Sequence, residues 1–139
     1  MPAVSGLSVS GACQAAREVG GDFYDVVPLP DGRVALALGD VSGKSVSAAL
    51  YMAVARTALR MTLAHGRTPR ECLISVNERI AEDIKDGSFI TCFLGLFDPA
   101  TGEFTYASAG HHLGWLMKPA GPTALTARGL PLGLDPAPF

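Results

Sequence analysis

The spacing of apolar residues predicts strands at both ends of the chain and helices in its middle. Two short apolar runs, Phe23 to Leu29 and Val34 to Leu38, are joined by a segment that contains Pro and Gly, which is typical of a β-hairpin. A polar-interrupted stretch from Leu7 to Ala15 precedes the hairpin and is predicted to form a first strand. The chain is therefore expected to begin with three strands.

Apolar residues next recur every three or four positions, which is the helical period. This pattern predicts a helix over residues 45–66. Its apolar stripe includes Val46, Leu50, Val54 and Met61, and we expect this stripe to face the core.

A second helix is predicted by its capping residues. Thr68 can act as the N-cap, Pro69 suits the first helical position, and Glu71 can complete a capping box. We expect this helix to close at Gly87.

A period of two returns after the helices. The segment from Phe89 to Phe97 is apolar on both faces and is predicted to be an interior strand covered on both sides. Two further strands are predicted over residues 104–108 and 113–117, and a weak one over 123–125. Blocks of strands on either side of a helix pair favour an α+β fold with largely antiparallel sheets.

Composition narrows the class of protein. The 139 residues correspond to about one domain. A hydrophobic content of 48% and a net charge of −2 exclude an intrinsically disordered chain, and 11 Lys+Arg against 13 Asp+Glu argue against a nucleic-acid partner. No apolar stretch suggests a membrane span. Only 17% of residues are charged, below the usual share of about 25%, so we expect apolar surface that something else covers.

Three cysteines, Cys13, Cys72 and Cys92, lie far apart without metal-binding spacing. An odd, scattered set is typical of buried thiols in a reducing compartment. The first residues also lack the basic and apolar segments of a signal peptide. The expected location is therefore the cytoplasm.

Two aspartates at the ends of the predicted hairpin are the main candidates for chemistry. Asp22 begins the first strand, Asp40 follows the second, and glycines flank both. In an antiparallel hairpin these positions are neighbours, and converging carboxylates suit hard ions such as Mg²⁺ or Mn²⁺. Asp22 could equally be a strand-end residue and Asp40 an N-cap of the next helix, so spacing alone leaves both interpretations open.

The segment Gly43-Lys44-Ser45 lies at a predicted strand-to-helix junction and invites comparison with a phosphate-binding P-loop. That loop needs a glycine where this chain has Leu38. Asp40 would also place a carboxylate in a loop that must bind anions. A nucleotide-binding loop is therefore not expected.

Two adjacent histidines follow Gly110 at a predicted strand end. His111 could carry a proton or orient a loop of a functional site, or it could only hydrogen-bond the backbone at a tight turn, and the sequence leaves these interpretations open. For His112 we favour a hydrogen bond to the backbone at a tight turn. His65 lies at a helix C-terminus, where the helix dipole favours a partial positive charge, so no other role is needed to explain this residue.

Six segments carry a family likeness when they are taken in order. They are Glu18–Asp25, Gly39–Lys44, Ala48–Leu50, Phe89–Thr91 with Phe97–Asp98, Tyr106–His111 and Leu130–Gly133. In this order and spacing they resemble the SpoIIE/RsbU-type branch of the PPM (PP2C-like) serine/threonine phosphatases. The resemblance implies an α-β-β-α sandwich, in which two mainly antiparallel sheets pack face to face and are flanked by helices.

The resemblance also implies metal-dependent hydrolysis of phosphoserine or phosphothreonine on a regulatory protein. By this likeness Asp22 and Asp40 are ligands of a pair of Mn²⁺ or Mg²⁺ ions, and the backbone carbonyl of Val41 contributes. A water that bridges the two ions attacks phosphorus in line, so no phospho-enzyme is needed. The implied substrate is a phosphorylated anti-sigma factor antagonist, and the implied role is partner switching in sigma factor regulation.

The chain departs from the family pattern after Gly133. The family continues there with a Thr-Asp-Gly segment and a later acidic site, whereas only Asp135 follows Glu103 among the acidic residues here. We therefore expect residues 1–139 to be the N-terminal two-thirds of a single phosphatase domain, poor in metal or inactive alone, which self-associates to cover its apolar surface. The alternative is a non-catalytic pseudophosphatase that binds a phosphorylated regulator.

Overall fold

The computed structural model describes residue 4 and residues 6–14, 20–43, 45–84 and 86–135. These residues contain two helices and six strands. In chain order they are β1 (Phe23–Pro28), β2 (Val34–Val41), α1 (Val46–Leu63), α2 (Pro69–Ile80), β3 (Ile90–Phe97), β4 (Phe104–Ala109), β5 (Trp115–Lys118) and β6 (Gly121–Ala124).

The strands form two antiparallel sheets. Strands β1, β2, β3 and β4 pair in that order in a four-stranded sheet, and β5 pairs with β6 in a separate hairpin. Helix α1 packs on β2 and on α2, and α2 packs on β3 and β4. The predicted α+β class with antiparallel sheets is confirmed.

The core lies between the helices and one face of the four-stranded sheet. Alternate residues of β2 and β3 point to this face, and small Ala35 and Ala37 on β2 allow α1 to approach closely. The rest of the core consists mainly of aliphatic side chains, including Leu59, Leu63, Leu73, Val76, Ile80, Ile90, Leu94 and Leu96. Strand β3 is interior and almost wholly buried, as its two-sided apolar pattern predicted.

The predicted core face of α1 was wrong. Val46, Leu50, Val54 and Met61 are exposed, and the buried residues of the helix are Ala48, Ala55, Ala58, Leu59, Thr62 and Leu63. The physical reason is packing distance, since a row of alanines lets the helix lie closer to the sheet than a row of larger side chains would.

The start of α2 agrees with its capping signals, whereas the N-cap of α1 is Ser45. Ser45 Oγ accepts a hydrogen bond from the Ala48 N–H at 3.3 Å, and Thr68 and Glu71 form the predicted capping box. Helix α2 ends earlier than predicted, because Ala81 rather than Gly87 caps it. The chain continues in a turn.

The first predicted strand, Leu7 to Ala15, was wrong. Leu7 makes one bridge to Val4, and residues 8–14 form no strand, while Ala15 lies outside the described residues. Residues 8–14 are mostly exposed and pair with no strand within the described chain. Their strand-like composition is therefore not enough to form a strand. The weak final strand does form, as β6.

Candidate metal centre

The two candidate aspartates lie opposite each other at the end of the β1–β2 ladder. Phe23 pairs with Gly39, and the Val41 N–H donates to the Gly21 carbonyl at 3.3 Å, so the register sets Asp22 against Asp40. Side chains directly opposed in an antiparallel pair have Cβ atoms about 4.5–5.5 Å apart. Both residues are exposed. The backbone register therefore places the two aspartates side by side, and the convergence of their carboxylates on one ion stays a prediction.

Two glycines make this close approach possible. A Cβ at Gly21 would lie 2.7 Å from the Val41 carbonyl oxygen, and one at Gly39 would lie 2.3 Å from the Phe23 ring. A larger residue at Gly21 would therefore push apart the segments that carry the two aspartates, and one at Gly39 would displace the Phe23 ring. Glu18 and Val19 of the same motif, and Lys44 of the next, lie outside the described residues.

The loop that follows Asp40 is anchored to β3. Ser42 exchanges two hydrogen bonds with the Phe89 backbone, both at 2.8 Å. Thr91 pairs with Asp40 across the ladder, and its hydroxyl donates to the Asp40 carbonyl oxygen at 3.4 Å. Because Ser45 is the N-cap of α1, the interpretation of Asp40 as that N-cap was wrong.

His111 reaches the same end of the sheet. Its Nδ1 lies 2.8 Å from Thr91 Oγ1, and its backbone forms a two-bond loop with the Ser108 hydroxyl. Burial lowers the pKa of His111, the neighbouring His112 lowers it further, and Asp22 acts in the opposite direction. The imidazole ring of His111 therefore favours its neutral form. Its hydrogen bond to Thr91 orients the loop that carries His111.

A cavity of about 280 Å³ opens beside Asp22. Its wall includes Asp22, Tyr24, Leu38, Gly39, His111 and the segment 12–14. Cys13 lies in that segment, and its Sγ is 3.8 Å from the Asp22 carbonyl oxygen.

The expectation of buried thiols was wrong for Cys13, which is exposed. It was confirmed for the other two, since burial raises the pKa of Cys72 to about 11 and that of Cys92 to about 12. All three cysteines are free thiols, so no disulfide holds the Cys13 segment beside Asp22.

The donors at this end of the hairpin fit a hard divalent cation in type. Asp22 and Asp40 supply carboxylate oxygens, and the Val41 carbonyl lies against Gly21. Within the described ranges, no group of three or more His, Cys, Asp or Glu side chains could hold a metal ion. Mg²⁺ nevertheless often keeps several waters and uses only one or two protein carboxylates.

Sequence reasoning missed one polar cluster close to this site. Asp25 is 5% exposed and accepts hydrogen bonds from Arg56 at 3.0 and 3.3 Å and from Arg60 at 2.6 and 2.7 Å. The bond from Arg60 is the strongest influence on the pKa of Asp25, which falls to about 2 although burial opposes the shift. The available signal was an aspartate at an inward-facing position of a predicted strand.

The comparison with protein families identifies the chain. The family model for stage II sporulation protein E (SpoIIE) matches residues 30–139, which include Asp40, His111 and the Leu130–Gly133 segment. The chain belongs to the SpoIIE family. The predicted family is thereby confirmed.

Individual relatives point the same way. The chain is 30% identical over 137 residues to the phosphoserine phosphatase RsbU of Bacillus subtilis, a match that covers 97% of this chain and 41% of RsbU. It therefore spans less than half the length of this relative. None of the helices in the described part of the chain is long and apolar enough to cross a membrane.

Solved structures agree on the fold. The RsbU and RsbW domains of Rv1364c from Mycobacterium tuberculosis match with a TM-score of 0.73 and 34% identity, over 86% of this chain and 34% of that one. The PP2C phosphatase domain of SpoIIE from Bacillus subtilis matches with a TM-score of 0.71 and 19% identity, over 83% of this chain and 34% of that one. The α+β arrangement of this chain is that of PP2C-type phosphatase domains.

Proposed function

We propose that this chain is the metal-binding part of a protein serine/threonine phosphatase that depends on Mn²⁺ or Mg²⁺. The observation that carries the proposal is the register that sets Asp22 against Asp40 in a chain of the SpoIIE family. Their carboxylates, with the Val41 carbonyl, would hold the metal. When bound, such ions activate water for attack on phosphorus and neutralise the phosphoryl oxygens.

The chain's own residues support this chemistry in two ways. Asp22 and Asp40 are exposed at the end of a ladder, where a phosphorylated side chain on another protein can reach them. Thr91 and His111 hold the adjacent loop through their 2.8 Å contact, which fixes one wall of the cavity. No nucleophilic side chain is required, since water is the nucleophile in this reaction class.

The relatives and the cysteines support a proposal for the partner and the location. RsbU is a phosphoserine phosphatase, and the Mycobacterium tuberculosis relative joins an RsbU domain to an RsbW domain. We propose that the substrate here is a phosphorylated regulator of the anti-sigma factor antagonist type. The two buried free thiols favour a cytoplasmic location.

We also propose that residues 1–139 form the N-terminal two-thirds of one phosphatase domain. The support is that the chain covers only 34% of each of the two solved chains described above, together with the apolar surface left open at Leu38 and Trp115. The coding sequence after Phe139 tests this part of the proposal. A Thr-Asp-Gly segment there would support it, and its absence would favour the pseudophosphatase alternative.

The catalytic part is tested on the natural gene product that contains this chain. We expect hydrolysis of a phosphoserine peptide that requires Mn²⁺ and is abolished by EDTA. Asp40→Asn should lower the rate by about 100-fold, because even a supporting partner of a metal ligand is worth about 10- to 100-fold. Asp31→Asn is the matched control, since Asp31 lies at the opposite end of the same hairpin and pairs with Arg33.

Three results would contradict the catalytic proposal. Hydrolysis that persists in EDTA would exclude a metal-dependent reaction. An Asp40→Asn variant as active as Asp31→Asn would remove Asp40 from the site. Tight binding of a phosphorylated regulator without turnover would favour the pseudophosphatase.

A further inference from the structure

An ion-pair cluster around one buried carboxylate joins β1 to α1 near the candidate metal centre. It consists of Asp25, Arg56 and Arg60, and we call it the Asp25 clamp. Both carboxylate oxygens of Asp25 are used, because each arginine donates through Nε and Nη2. The two arginine side chains are about half exposed, whereas the Asp25 side chain is buried, so the carboxylate is the anchor of the cluster.

The clamp fixes how α1 is oriented on the sheet. Arg56 and Arg60 are four residues apart and therefore lie on the same side of the helix. Their attachment to Asp25 turns that side towards β1, and it leaves the apolar stripe from Val46 to Met61 exposed. The orientation of α1 is therefore set by a polar contact together with alanine packing.

The clamp also closes a ring of connections around Asp22 and Asp40. The first connection is the β1–β2 ladder, which sets the two aspartates against each other. The second is the chain from Asp40 into α1, whose N-cap is Ser45. The third is the clamp, which returns from α1 to β1 at Asp25, three residues after Asp22.

Strand β1 needs such a support more than its neighbours do. It is an edge strand of the described sheet and pairs with β2 alone. Asp25 and Asp22 are separated by about 10 Å of extended strand, at about 3.3 Å per residue. A displacement of β1 at Asp25 is therefore transmitted to Asp22 along a short, stiff segment.

We propose that the Asp25 clamp is a positioning device that holds the Asp22 segment against Asp40 and Val41, and so sets the affinity of the candidate centre for its divalent cation. The inference rests on the proposed function for its metal part only. Its structural part, the position of the Asp22 segment, stands on the contacts alone. Neither Asp25 nor the arginines contact the metal in this account.

The structural part is tested by amide hydrogen exchange of the 139-residue chain. The Val41 N–H is the reporter, because it donates to the Gly21 carbonyl next to Asp22. We expect Asp25→Asn to speed exchange at Val41 by at least tenfold, while amides of the central strand β3 change less than twofold. Asp31→Asn, which breaks an exposed ion pair in the same hairpin, should leave Val41 within twofold of the wild type.

The metal part is tested by Mn²⁺ titration, with the free ion measured by electron paramagnetic resonance. Asp25→Asn should raise the apparent Kd for Mn²⁺ at least fivefold. Arg60→Lys, which keeps the charge but loses the two-pronged contact, should give an intermediate value and serves if Asp25→Asn does not fold. Asp31→Asn should match the wild type.

The outcomes separate the clamp from the proposed function. If Asp22→Ala leaves Mn²⁺ binding unchanged, the proposed metal centre is wrong. Hydrogen exchange at Val41 then remains the test of the structural part of the Asp25 clamp. If Asp22→Ala abolishes binding while Asp25→Asn and Arg60→Lys leave it unchanged, the clamp does not position the metal ligands. Equal exchange at Val41 in Asp25→Asn and Asp31→Asn would overturn its structural part.

Discussion

At the scale of single residues, the candidate site depends on two glycines, which have no side chain, as much as on its two aspartates. Gly21 and Gly39 allow two backbone segments and an aromatic ring to pack at distances that a Cβ would forbid. The motif Gly-Gly-Asp thus has a steric explanation for its second glycine. The same contact brings the Val41 carbonyl beside the Asp22 segment.

This contact predicts the effect of Gly21→Ala. The new Cβ would meet the Val41 carbonyl oxygen, a backbone atom that cannot turn aside, so the two aspartate-bearing segments should separate. We expect a loss of about 1–3 kcal/mol in the free energy of unfolding, the usual cost of overpacking. Urea denaturation measures it, and phosphatase activity should fall at least tenfold.

Gly114→Ala is the matched control, because a Cβ at Gly114 meets nothing within 4 Å. Its stability and activity should stay close to those of the unsubstituted protein. If Gly21→Ala behaved like Gly114→Ala, the close approach at Val41 would not be needed for stability or activity.

Asp25 gives the protein a pH dependence whose sign can be worked out. Its folded-state pKa is about 2, below its ordinary value of 3.8, and the hydrogen bond from Arg60 is the leading cause. The ion pairs therefore stabilise the fold fully above about pH 4, and this stabilisation is lost as the pH falls towards 2. The contribution is about 2 kcal/mol, since one unit of pKa corresponds to about 1.4 kcal/mol.

Urea denaturation at pH 6 and pH 2.5 tests this dependence. The stability difference between the wild type and Asp25→Asn should shrink by about 1–2 kcal/mol on going to the lower pH, and part of it should remain because pH 2.5 still lies above the folded-state pKa of Asp25. A difference that is the same at both pH values would mean that the Asp25 charge does not contribute to stability.

At the scale of secondary-structure elements, the most reliable predictions came from local signals. The start of α2 was predicted from Thr68, Pro69 and Glu71, because a capping box is formed by residues three positions apart. The β1–β2 hairpin was predicted from two apolar runs and the turn between them. Neither required knowledge of distant contacts.

The errors arose where distant contacts decide the outcome. Asp25 binds arginines 31 and 35 positions away, and this pairing, which no local pattern reveals, orients α1 against the expected stripe. The stretch from Leu7 to Ala15 has a strand-like composition, but a strand forms only where a partner strand is available. The pairing of Asp22 with Asp40 across the hairpin could be predicted because the hairpin that brings them together is local.

The capping box predicts the cost of Thr68→Ala. The Thr68 hydroxyl accepts the Glu71 N–H at 3.3 Å, and this N–H would lose its partner. We expect a loss of about 1 kcal/mol in the free energy of unfolding, measured by urea denaturation. Thr57→Ala is the matched control, since Thr57 is exposed in the middle of α1 and alanine favours helix. Equal losses in the two variants would contradict the capping argument.

At the scale of the whole molecule, the low charge content corresponds to apolar surface on particular elements. Val46 and Leu50 of α1 are 69% and 62% exposed, and Trp115 of β5 is 66% exposed. Strand β3, which was predicted to be covered on both sides, is buried within the described chain. The surface that needs a cover therefore lies mainly on α1 and on the β5–β6 hairpin.

Exposed apolar side chains at helical spacing predict self-association of the 139-residue chain. Leu50 and Val54 are one turn apart on the open side of α1, and a second copy of the same stripe would remove both from water. We expect light scattering to show a mass that rises with concentration, and Leu50→Glu to reduce this rise. Ser47→Glu is the matched control, because it adds the same charge at an exposed position outside the stripe. A monomer at high concentration would contradict the prediction, and an equal effect of both variants would place the contact elsewhere.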